Sequence, residues 1–405
     1  MKATKALCVV LLTLVLSAII TAQPVAASPS TRLDSVYSFL SSKYNKDGSG
    51  GYARESLASR APSTYSAIYS LDKLGYLDSR PPIIDLVKVM NFTRWLQWKS
   101  GGESHERYGG FSEFVAGPVS IATSFAAVST VQLLKRHSDV PNMQSISVNY
   151  TSLLVFVNKT RVSAGGFGSA PGRSADMLST YMAISLIKTA VEELSSSAPS
   201  ENLTKWLPNR DNLTQWILSC RVNSTSYNGF KLSPASKTPG ITPTASALMA
   251  LSLLGQLDSV ADLTGIGHWI IDRQANDTLP NLRGGFMESV ATNDTNLIST
   301  YYALKALSLI PGIVGLDSDA SLDFVLRCQA ADGSWSFTPG MTKGDIDYIY
   351  MAVESILLLN RDPRTALLVE DPNSLAPPLV DWRIVFVIGF LVVGAAVGIV
   401  SVRRD

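Results

Sequence analysis

One motif, returning at nearly regular intervals, commits this chain to a repeat architecture. Two small residues followed by an aromatic occur as Gly50-Gly51-Tyr52, Gly109-Gly110-Phe111, Gly165-Gly166-Phe167, Asn228-Gly229-Phe230, Gly284-Gly285-Phe286 and Gly333-Ser334-Trp335. The aromatic positions lie 49 to 63 residues apart. Each triplet follows an amphipathic helical pattern, as in residues 91–97 or 323–329. A loop and a second helix rich in Ala, Leu and Ser come after it. The unit reads as a helical hairpin in which Gly supplies the positive φ of the turn and the aromatic plugs the hairpin's end.

The second helices align with one another. Ala67, Ala127, Ala183, Ala247, Ala303 and Ala352 share one position, and two residues earlier stand Tyr65, Phe125, Tyr181, Ala245, Tyr301 and Tyr350. A small side chain in every repeat lets neighbouring helices approach closely. Six hairpins without a polar capping repeat favour a closed ring over an open solenoid. The predicted fold is all-α, an (α/α)6 toroid of twelve main helices, six inner and six outer.

Both ends read as membrane signals. Residues 1–28 begin with Lys2 and Lys5, continue through an apolar run and reach small residues near Ala26-Ala27-Ser28, the pattern of a signal peptide. Residues 384–402 form an uncharged stretch of nineteen, enough to cross about 28 Å as a helix. Arg403 and Arg404 follow it and predict a cytoplasmic tail at 403–405. Prolines at 363, 372, 377 and 378 predict a stalk over 361–383, leaving 29–360 as the toroid. The expected topology is single-pass type I in the cell membrane, with the toroid extracytoplasmic. Eight of the sixteen asparagines begin an Asn-x-Thr acceptor: Asn91, Asn149, Asn158, Asn202, Asn212, Asn223, Asn276 and Asn293. That density predicts an N-glycosylated ectodomain. A formal net charge of +1, with no dense basic cluster, speaks against a nucleic-acid partner.

The glycine-aromatic loops, the six helix pairs and the stretch Gln329-Ala330-Ala331-Asp332-Gly333-Ser334-Trp335 resemble the prenyltransferase β-subunit and terpene cyclase (squalene cyclase) α/α-toroid superfamily, over about residues 30–360. For a protein prenyltransferase, the resemblance implies a zinc ion held by Asp, Cys and His on inner helices. The corresponding positions here are Asn296, Ile298 and Tyr348, a set ill-suited to zinc. It also implies basic residues in the loop before the zinc helix, to neutralise a prenyl diphosphate. Residues 287–295 carry Glu288 and Asp294 and no cation. For a class II cyclase it implies a DxDD acid, which Asp345-Ile346-Asp347-Tyr348 matches in part. The expectation is therefore no cofactor or metal.

Tyr301 and Lys305 share a helix face with Tyr302 beside them, and Glu354 occupies the column of Lys305 in the next repeat. These residues, with Tyr348, predict an ion pair and a polar-aromatic lining suited to a ligand with an apolar body. Three functions remain open: a non-catalytic module binding a lipid, peptide, glycan or protein partner, a prenyltransferase- or cyclase-type enzyme using Asp345 and Asp347, or a purely architectural surface protein. Cys220 and Cys328 fall in repeats four and six, too far round the ring to bond to each other.

Overall fold

Inner and outer helices alternate along the chain in the computed structural model, which describes residues 30–78, 84–137, 148–195, 202–276 and 281–372. The outer helices are α1 (Arg32–Lys43), α3 (Leu86–Trp95), α5 (Tyr150–Lys159), α7 (Arg210–Ser219), α9 (Leu263–Ile271) and α11 (Ser318–Arg327). The inner ones are α2 (Ala61–Lys73), α4 (Ile121–Lys135), α6 (Met177–Ser195), α8 (Ile241–Leu254), α10 (Leu297–Leu307) and α12 (Ile349–Leu358). The expected signal peptide, the membrane segment 384–402, the tail and the second part of the stalk, 373–383, lie outside the described residues. Among the described residues no helix is long and apolar enough to cross a membrane.

Each inner helix packs on the next, and α12 returns to α2, so the ring closes. The aligned alanines are what permit this: all six are at most 1% exposed. Polar bonds seal the joint between the last and first repeats. Ser66 Oγ donates to the Ile346 carbonyl and accepts from the Tyr350 amide, at 2.5 and 3.1 Å. On the outer ring Arg32 Nη1 donates to Gln329 Oε1 at 2.8 Å, and Gln329 Nε2 donates to the Arg32 carbonyl at 3.1 Å.

The glycine pairs hold the repeats together. At the first glycine φ is positive, as at Gly109 (+88°) and Gly284 (+86°), and a Cβ there would lie within 2 Å of a carbonyl of the next outer helix. At the second glycine a Cβ would strike that helix's aromatic ring, Phe156 for Gly110 and Phe324 for Gly285. The following aromatic is fully buried in every repeat. Its amide donates to a hydroxyl of the inner helix: Tyr52 to Thr64, Phe111 to Ser124, Phe167 to Thr180, Phe230 to Thr244 and Phe286 to Thr300, at 2.9–3.0 Å. Every one of these hydroxyls stands three residues before the aligned alanine, a further column in register with the repeat.

Short antiparallel ladders, absent from the all-helical expectation, follow the same logic. Phe167 lies opposite Asp176, Phe286 opposite Asn296, and Phe230 opposite Gly240, so each loop aromatic pairs with the residue that opens the inner helix. The compact unit runs from Arg32 to Val369, past the toroid boundary expected at 360. Asp362 caps a further helix, α13 (Pro363–Leu367), whose Leu367 is fully buried. The proline there starts a helix rather than a stalk, because the first helical position needs no amide donor. In the small separate unit, Thr31 bridges Glu370 and the Asp371 amide donates to the Ser30 carbonyl.

Candidate functional site

The column of aromatics two residues before the alanines becomes a collar lining the ring. Ring centroids follow one another from helix to helix: Tyr301 to Tyr350 at 5.7 Å, Tyr350 to Tyr65 at 5.2 Å, Tyr65 to Phe125 at 6.4 Å and Phe125 to Tyr181 at 6.0 Å. Separations and tilts of this kind are the attractive geometry of aromatic pairs. On α8 the column holds Ala245, and on α10 Tyr302 lies edge-on against Tyr301 at 5.0 Å. Tyr65, Phe125, Tyr181 and Tyr350 keep partial exposure although they sit on the inner helices, so the collar narrows the lumen without wholly filling it. A cavity of about 380 Å³ opens beyond it, between the C-terminal parts of α2, α4 and α6, over Tyr65, Tyr69 and Phe125.

One layer further along, Lys305 and Glu354 form the expected ion pair, 25% and 15% exposed. The Lys305 ammonium also stands 6.0 Å over the Tyr301 ring. Burial pushes the phenols of the collar up, Tyr181 to about 12, and the Glu354 carboxylate adds to the rise. The collar tyrosines are thus neutral near pH 7. They offer hydroxyl donors and ring faces, not phenolate bases.

At the start of α12 sits the acid group. Asp345 is 9% exposed and pairs with Arg54. It also accepts from the Asp347 amide at 3.1 Å. Asp347 is half-buried and accepts from Ser63 Oγ at 2.7 Å. Burial pushes its carboxyl above the ordinary aspartate range, the Ser63 hydroxyl opposes this, and the Asp345 charge adds to it. A raised folded-state value favours the fold while the proton is held, and that contribution is lost as pH climbs from the ordinary aspartate range through the raised value. Asp347→Asn is therefore expected to be more stable than wild type at pH 7, the gap narrowing as pH is lowered towards 4. Urea unfolding across that range checks it, and a gap independent of pH would contradict the assignment.

Of the expected ligand-binding residues, the structure brings Tyr301, Tyr302, Lys305 and Glu354 together. Tyr348 stands apart, at the opposite end of α12, with its ring 6.3 Å from Phe337.

The zinc positions do not fit a metal. Asn296 spends its side-chain oxygen capping α10 through the Ser299 amide, and Ile298 has no donor atom. No group of three or more His, Cys, Asp or Glu is placed to hold an ion among the described residues. Glu288 accepts from the Thr242 amide and hydroxyl and from Ser299 Oγ, at 3.1, 2.9 and 2.7 Å. Its carboxylate thus fills the helix-start position that would attract a diphosphate. Cys220 and Cys328 are buried free thiols.

A sequence model of the prenyltransferase alpha-alpha toroid domain matches residues 3–212 and 208–384. The geranylgeranyl transferase type-1 subunit beta of Arabidopsis thaliana is 27% identical over 172 residues, 40% of this chain; the chain spans 42% of that relative's length. Among solved structures, Candida albicans protein geranylgeranyltransferase-I complexed with GGPP has a TM-score of 0.53 at 17% identity, covering 78% of this chain and 88% of that one. A type II terpene cyclase from Scytonema, in complex with geranylgeranyl dihydroxybenzoate, has a TM-score of 0.51 at 13% identity, covering 83% and 97%. At such identities these two structures speak to the fold alone. With the closed ring of six hairpins and a family match along nearly its whole length, the chain belongs to the prenyltransferase alpha-alpha toroid domain family.

Proposed function

We propose that this chain is an exported, N-glycosylated, membrane-anchored toroid that holds a lipid-like ligand in its lumen without converting it. The aromatic collar carries the reading. Neutral phenols and ring faces around a narrow bore suit an apolar body with a few hydroxyl or carbonyl groups. Of the charges near it, Lys305 with Glu354 and Arg54 with Asp345 are spent on each other. No cation lies in the 287–295 loop to draw off a diphosphate leaving group, and the zinc positions carry no suitable set.

The exported setting is supported by the acceptor asparagines, all eight of which are exposed. Asn149 and Asn202 cap helices through their side-chain oxygens, which leaves the amide nitrogen available for a sugar. Native mass spectrometry of the full chain, purified from its own membranes in mild detergent, tests the reading. The expected result is a chain heavier by several glycans than the polypeptide of residues 29–405, carrying a non-covalent lipid released by activation in the gas phase. An unmodified chain, or one without a lipid adduct, would overturn it.

The Asp347 carboxyl favours a second reading, a cyclase-type enzyme in which that group is the proton donor. Turnover of geranylgeranyl diphosphate or a polyprenol by the full chain, abolished in Asp347→Asn, would replace the binding role with this one.

A further inference from the structure

The seam between repeats three and four lacks a clamp that three other repeats share. The residue paired in register with the loop aromatic is Gln97, Gln274 and Gln329 in repeats two, five and six. Each glutamine clamps the start of the next outer helix. Gln97 donates to the Asn149 carbonyl at 2.8 Å and accepts from the Asn149 amide at 2.9 Å; Gln274 does the same with Asp317 at 2.8 and 3.1 Å. In repeat three this position is Arg161. Its guanidinium reaches the Trp206 carbonyl at 2.6 Å and leaves the start of α7 unclamped. Accordingly Asn209, which precedes α7, makes no side-chain cap.

Where the clamp is missing a cleft of about 830 Å³ opens between α5 and α7. Arg161 lies in its wall, stacked 5.2 Å over Phe167, with Nε buried and unpartnered. No carboxylate offsets its charge among the described residues, whereas Arg221, the equivalent in repeat four, has Asp262 nearby. A desolvated cation without a counter-charge is costly to maintain unless an anion completes it. The rest of the wall offers carboxamides at Asn158, Asn209, Asn212 and Gln215, with Trp216 as an apolar surface. Carboxamides both donate and accept, as sugar hydroxyls do. We propose that this cleft binds an acidic saccharide, its carboxylate on Arg161 and its hydroxyls on the carboxamide rim. The site is on the outer wall and is independent of what the lumen holds.

The saccharide has two conceivable sources, since Asn158 and Asn212 are themselves acceptors on the rim: a free oligosaccharide, or a glycan of the chain itself. Calorimetric titration with tri-galacturonate, against neutral maltotriose and tri-glutamate as controls, tests the site on full chain made with and without glycosylation. Arg161→Gln restores the residue used at Gln97, Gln274 and Gln329, so it is expected to fold, checked by an unchanged melting midpoint. Expected is binding of tri-galacturonate at least tenfold tighter than either control, reduced at least tenfold by Arg161→Gln. Binding to both preparations marks an external saccharide, and binding to the bare chain alone marks its own glycan as occupant. Equal affinity for maltotriose, preference for tri-glutamate, insensitivity to Arg161→Gln, or no binding at millimolar probe would overturn the assignment.

Discussion

Gly284→Ala is expected to lower the stability of the toroid by about 2–5 kcal/mol. Two costs combine. At φ +86° an L-residue pays about 1–2 kcal/mol in the left-handed region. The new Cβ would then lie 1.9 Å from the Ala320 carbonyl oxygen, on the backbone of α11, which cannot turn aside as a side chain can. Relief requires the outer helix of repeat six to retreat, and overpacking of this kind costs about 1–3 kcal/mol. Gly312→Ala separates the two: φ is +70° but nothing lies within 4 Å of its Cβ position, so only the conformational part, about 1–2 kcal/mol, should appear. Urea midpoints of the two variants make the comparison. Similar losses in both would mean that repeats do not meet through the glycine seam.

Glu354→Ala is expected to cost about 2–4 kcal/mol by leaving the Lys305 ammonium in the aromatic-lined bore without its partner. Lys305→Met alone should cost a similar amount, because the carboxylate is then stranded among neutral phenols. The double variant, with neither charge, should recover most of the loss, since replacing a buried pair by apolar groups is close to neutral. A double-mutant cycle reads the coupling directly. Strictly additive losses would place both groups in effective contact with water and would remove the closed, low-polarity lining on which the lipid-binding proposal rests.

The closed ring was legible in the sequence because its cause is periodic. Glycine pairs, loop aromatics and the alanine column each recur in register, and a sixfold repeat of one hairpin has few ways to bury both faces other than closing on itself. The Lys305–Glu354 pair was legible for the same reason: equal columns on adjacent inner helices lie at equal heights. Tyr348 does not join that group because it lies just before α12, lower along the bore than Glu354. A helix rises about 1.5 Å per residue, so Tyr348 and Glu354 stand roughly 9 Å apart along the axis. The boundary at 360 fell short since Pro363 reads as a breaker until its helix is seen docked by Leu367.

Departures from the repeat were decided only by the tertiary structure. Ala245 in an aromatic column looks like a gap, yet it is fully buried. Arg161 stands where three repeats carry glutamine and looks like a polar substitution, yet a cleft between two outer helices opens beside it. By itself the sequence determined the hairpin, its count and its closure, because those depend on local φ preferences and on side-chain size repeated in register. What fills the bore and where the wall parts depend on contacts between residues far apart in the chain, whose geometry exists only once the ring has closed.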